Sequence, residues 1–124
     1  MAPPPPDCYA ATVTRVGKTA RAAKDAIDAA VQQLEQSRDE RSAGTALADV
    51  IDKLLAAGGR ELRLGATEAF HEYERATAAV RGCVVRTLVD EQGFSFTQVG
   101  EKLRISRQAV GRLYREHPAH TDQE

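Results

Sequence analysis

Few side chains in this chain of 124 residues could do catalytic chemistry, and each candidate fails on spacing. Gly17-Lys18-Thr19 ends like a phosphate-binding loop, but that loop needs a glycine where Thr12 stands and a preceding strand that is absent from the pattern. His71-Glu72 is followed by Tyr73, Glu74 and Arg75, so the second histidine of a helical zinc site is missing. Cys8 and Cys83 have no companions at metal-ligand spacing, and they do not indicate a disulfide framework. Cys83 lies in an apolar-rich stretch without a histidine nearby in sequence and reads as a buried, inert thiol. No enzyme, metal or cofactor is expected. The residues that share both a face and a chemistry lie near the C-terminus. Over 106–116, Arg107, Gln108, Gly111, Arg112 and Arg115 fall on one side of a helical pattern and Ala109, Val110 and Leu113 on the other. An arginine can donate twice to a guanine edge, a glutamine can pair its amide with adenine, and arginines one turn further on suit phosphates.

Two short helices must position those side chains. Ser95 can cap the first through its hydroxyl, with Gln98 reaching back to close a capping box, and Phe94 and Val99 form a hydrophobic staple around it. Phe96, Val99 and Leu103 point inward, Gly100 allows a second helix to come close, and Glu101 and Lys102 face water. The helix stops near Arg104. Ser106 caps the second helix, and Ile105 staples to Val110.

These residues resemble the helix-turn-helix of bacterial DNA-binding proteins, in the versions found in sigma-factor region four and small transcriptional regulators. In that family a small residue stands mid-way along the first helix, as Gly100 does, and an apolar residue ends it, as Leu103 does. Apolar residues follow the turn, as Ile105, Val110 and Leu113 do. The turn position that is commonly glycine, because it favours positive φ, is Arg104 here. The resemblance covers the C-terminal third alone. It implies that the second helix enters the major groove of double-stranded DNA, with Arg107 and Gln108 facing base edges, Ser106 at the DNA-binding start of the helix, Gly111 letting the helix approach without an intervening side chain, and Arg112 and Arg115 placed for phosphates. Thr97, Gln98, Lys102 and Arg104 would flank them along the backbone. A first-turn cation such as Arg107 opposes the helix dipole, so its presence calls for a reason other than solvation.

The remainder is read from composition and period. Alanine is abundant and aromatics make up 5% of the chain, which favours helix but buries little area. Net charge is −1, yet residues 81–118 hold seven basic and four acidic side chains against ten and twelve in residues 1–80. The positive balance therefore falls on the motif. Residues 2–6, APPPP, suit an extended tail, either a short binding motif or a solubilising segment. From Ala10 to Gln36, Val13, Ala20, Ile27 and Leu34 recur at seven with Val16, Ala23 and Ala30 interleaved. That pattern fits a self-association helix or an amphipathic helix packed on its own domain.

Ser37 to Gly44 reads as a loop, after which Thr45 caps a helix carrying Leu47, Val50, Ile51, Leu54 and Leu55 up to Gly58 and Gly59. A long helix should run from Glu61 or Thr67 to Asp90 on a stripe of Ala66, Phe70, Tyr73, Thr77, Val80, Val84 and Leu88, with a start or kink at Gly65, a close approach at Gly82 and a positive-φ stop at Gly93. No apolar run could span a bilayer and no secretory signal is present. The expectation is an all-α chain: a disordered tail over 1–9, a helical and possibly coiled-coil dimerisation region over 10–80, a tri-helical helix-turn-helix over 81–117 and a polar tail over 118–124. Its expected role is that of a homodimeric, cytoplasmic, nucleoid-associated DNA-binding protein, a transcriptional regulator or a nucleoid protein, with no small-molecule effector indicated. The alternative from another class is a module that docks on RNA polymerase, a sigma factor or a replication protein.

Overall fold

The computed structural model describes residues 7–117, and within them the chain is all-helical. The elements are α1 (Cys8–Ser42), α2 (Leu47–Ala56), α3 (Gly59–Arg86), a π-helical turn (Thr87–Glu91), α4 (Phe96–Leu103) and α5 (Arg107–Glu116). They form two compact units: residues 17–74, and residues 7–16 with 75–117. No helix among the described residues is long and apolar enough to cross a membrane. The tail readings at 2–6 and 118–124 fall outside the described residues.

In the first unit the expected loop at Ser37–Gly44 does not form, and α1 continues to Ser42. The run SRDERS is polar but holds no glycine or proline to stop a helix. The Ser37 hydroxyl donates back to the Leu34 carbonyl at 2.6 Å. Lys53 of α2 reaches Glu40 at 2.9 Å, which fixes the last turns. The chain reverses at Gly44, whose φ is 107°. Thr45 is not the cap of α2: that position is Ala46, which offers no side-chain oxygen. Gly58, at φ 78°, ends α2 as expected, but Gly59 already begins α3, two residues earlier than the earlier of the two expected starts. A Cβ on Gly59 would stand 2.8 Å from the Leu54 carbonyl and 2.9 Å from Gln33 Oε1, so glycine is what allows this junction to close. α3 then runs unbroken through Gly65.

Of the two heptad series on α1, the alanines turn inward. Ala23 and Ala30 are buried while Ile27, Val31 and Leu34 are exposed. Val50 is the one large aliphatic side chain of this unit among the buried residues.

The second unit has a core of Val85, Val99 and Val110, with Leu88, Val89, Phe94, Phe96, Leu103, Ile105, Leu113 and Tyr114 packed around it. Val85, rather than Val84 of the expected stripe, is the fully buried residue. The π-helical turn that follows widens the repeat, which brings Leu88 and Val89 both onto the core. Gly93 ends this segment at φ 74°, as expected.

The two cysteines correct the sequence reading. Cys83 is buried, but it is bonded to Cys8 rather than an isolated thiol. The cause is an earlier helix start: Asp7 accepts from the Ala10 N–H at 2.7 Å, and α1 begins at Cys8, in a stretch that reads as tail. The two Cα atoms lie 6.1 Å apart, within the normal span of a disulfide.

Candidate nucleic-acid interface

α4 and α5 meet in a geometry written almost wholly in local sequence. The Ser95 hydroxyl accepts from the Gln98 N–H at 3.1 Å, and the Gln98 side chain accepts from the Ser95 N–H at 2.8 Å, completing the capping box. Ser106 Oγ accepts from the Ala109 N–H at 3.0 Å and caps α5. Between the helices Arg104 adopts the left-handed conformation, φ 61° and ψ 44°. The Ile105 N–H closes onto the Gly100 carbonyl at 3.0 Å, the pairing that ends a helix when its terminal residue turns left-handed. The position where glycine would be the unstrained choice is therefore taken by arginine. Gly100 is buried, and a Cβ there would stand 2.8 Å from the Ile105 carbonyl oxygen.

This frame sets the polar side. Gln108, Arg112 and Arg115 follow one another at four and three residues on the side of α5 opposite Val110, and all three are exposed. Arg107 in the first turn, Arg104 at the turn, and Lys102 and Thr97 on α4 are exposed as well. Among the described residues none of Lys102, Arg104, Arg107, Arg112 and Arg115 has a carboxylate at ion-pair distance. Five cations thus stand in solvent around one short helix and its turn.

Three expected contact residues are placed differently. Gly111 lies on the inner side: it is buried, and a Cβ there would meet Phe96 Cε2 at 3.7 Å. It sits about 100° around the helix from Val110, and Phe96 of α4 covers that flank. Gln98 and Ser106 keep exposed surface, but their side-chain oxygens are already engaged as caps.

A cluster that the sequence did not disclose ties α5 to the preceding segment. The Tyr114 ring packs on Phe96 with centroids 5.4 Å apart and lies beneath the Arg86 guanidinium. Its hydroxyl donates to Asp90 Oδ1 at 2.8 Å, and Arg86 Nη1 stands 3.6 Å from the other oxygen of Asp90. Arg86 Nε also donates to the His117 carbonyl at 2.9 Å, so α5 is held at its C-terminal end. Gly82 allows this approach, because a Cβ there would collide with the His117 ring. The hydrogen bond to Asp90, then desolvation, then the Asp90 charge push the Tyr114 hydroxyl above the usual tyrosine range, with Arg86 opposing. The i, i+4 spacing of Arg86 and Asp90 was the available signal for half of this cluster.

Among the described residues no three His, Cys, Asp or Glu side chains stand together as metal ligands. No protein-family model matches the chain, and no curated protein or solved structure matches it either.

Proposed function

We propose that α4 and α5 form a helix-turn-helix and that the protein binds double-stranded DNA as a homodimer, with α5 in the major groove. The observation that carries this reading is the set of five exposed cations at Lys102, Arg104, Arg107, Arg112 and Arg115 around a capped helix, none of them ion-paired among the described residues. A cluster of exposed cations on one helix and its turn suits a polyanion, whose binding releases counterions. Arg107 and Gln108 reach the base edges in this reading. Arg112, Arg115, Lys102, Arg104 and Thr97 neutralise or bond the backbone, while Gly111 supports the helix from inside rather than facing DNA.

The role is that of a transcriptional regulator or a nucleoid-associated protein, and the setting it implies is the cytoplasm. There the Cys8 and Cys83 thiols face a reducing pool, and the cross-link belongs to oxidising conditions. Sequencing the duplexes retained from a random library separates the two roles. An enriched palindrome that Gln108→Ala relaxes identifies a regulator; retention with no enriched motif identifies a nucleoid-type binder. Retention of nothing would sink the reading.

A further inference from the structure

The two cysteines of the chain pair within the unit that carries α4 and α5, and they join segments of opposite character. Cys83 is 4% exposed on α3, in the turn that also seats the C-terminal end of α5. Gly82, next to it, takes the His117 ring, and Arg86, three residues on, donates to the His117 carbonyl at 2.9 Å. Cys83 Sγ also lies 3.9 Å from the hydroxyl oxygen of Thr87, the first residue of the π-helical turn. Cys8, by contrast, is half-buried at the first position of α1. No residue from 7 to 16 is buried, and Tyr9 and Val13 are 54% and 44% exposed. Turns with so little buried surface open at low cost, and the disulfide is their covalent tie to α3.

We propose that the Cys8–Cys83 pair is a redox-active site that regulates duplex binding, with a low-molecular-weight thiol and its disulfide as co-reactants and the oxidised form as the tighter binder. The inference rests on the DNA reading for what is regulated, and on the pair's place beside Gly82 and Arg86 for how. Reduction frees the first turns of α1, and the α3 turn under His117 loses the cross-link that pins it. α5 then samples more orientations, and ordering it on a duplex costs entropy that the oxidised form has already given up.

Exchange begins at the Cys8 sulfur, the more exposed of the pair. A thiolate attacks it and forms a mixed disulfide, while the Cys83 sulfur leaves with the electron pair of the broken S–S bond and takes a proton from solvent. A second thiolate then attacks the small-molecule sulfur of the mixed disulfide, and Cys8 leaves as a thiolate and is protonated in turn. The protein disulfide gains two electrons, and two small thiols lose them as they become one disulfide. Glutathione disulfide drives the same steps in reverse and restores the bond.

The test uses the full chain equilibrated in glutathione buffers of graded ratio, with alkylation and intact mass counting the free thiols. Denatured without reductant, the oxidised form should keep the mass of one chain, 13.4 kDa. A labelled random-sequence duplex, followed by anisotropy, should bind the oxidised form tighter by about fivefold or more. Cys8→Ser should bind like the reduced wild type and ignore the buffer. Reduction should also speed hydrogen exchange over residues 9–16 and at the His117 N–H, with helical circular dichroism largely retained. Equal affinity in the two states, tighter binding by the reduced form, loss of the helical signal on reduction, or a bond formed between chains overturns the proposal. No duplex binding in either state, with the exchange change present at residues 9–16 and His117, overturns the DNA reading and leaves the redox coupling of α1 to α5 standing.

Discussion

The Arg86 guanidinium carbon stands 3.7 Å from the centre of the Tyr114 ring, and both side chains converge on Asp90. This contact couples the end of α3 to α5, so the position of the cationic helix depends on residues that carry none of its exposed charge. The Tyr114 hydroxyl titrates above the usual tyrosine range, which means that the folded state favours the protonated form. Its stabilising contribution is therefore complete below the ordinary tyrosine pKa of about 10 and is lost as pH rises through the raised folded value.

Tyr114→Phe should accordingly remove the highest-pH step from an ultraviolet titration of the tyrosines. It should also make stability less sensitive to pH in the alkaline range than in the wild type. Loss of a step at the ordinary tyrosine pKa of about 10 instead would show that the Asp90 bond does not hold the hydroxyl.

Two buried glycines should respond with opposite sign. Gly100→Ala places a methyl 2.8 Å from the Ile105 carbonyl, backbone that cannot step aside without opening the turn. A net loss of about 1–2 kcal/mol is expected, read as a lower urea midpoint at constant m. Gly111→Ala meets the movable Arg115 Nη1 at 3.1 Å and Phe96 at an ordinary 3.7 Å. Helix propensity should then prevail, with a gain of about 0.5–1 kcal/mol.

Arg104→Gly separates folding from binding. Relief of the left-handed strain at φ 61°, set against the extra unfolded-state freedom of glycine, should leave stability equal or higher by about 0.5 kcal/mol. The loss of one cation should weaken duplex binding and flatten its salt dependence by about one.

How far these residues were legible depended on how local their physics is. The starts of α4 and α5 follow from hydroxyls and amides three residues apart, so Ser95, Gln98 and Ser106 gave them directly. The extension of α1 to Ser42 was hidden because SRDERS has the polarity of a loop, and its hold on α2 comes through Glu40 and Lys53, which are distant in sequence. Val85 and Gly111 were misplaced for geometric reasons. Val85 lies one position round α3 from the expected stripe, and both that rotation and the covering of a helix flank by Phe96 are decided by tertiary packing.

The Cys8–Cys83 bond spans 75 residues and leaves no local trace. Closing a loop of that length restricts the unfolded chain, so reduction or Cys8→Ser should lower stability by about 2–4 kcal/mol. Thermal melts with and without reductant test this, and the Cys8→Ser variant should lose its response to reductant.

The central claim is that α5 and its turn present cations to duplex DNA, and a salt series tests it most directly. Fluorescence anisotropy of a labelled random-sequence duplex would be followed with the wild type and Arg112→Ala at several salt concentrations. The wild type should bind at low salt and weaken steeply as salt rises, and Arg112→Ala should bind less tightly with a slope smaller by about one. No binding at low salt, or binding indifferent to Arg112, would contradict the account and turn attention to a protein partner for the same face.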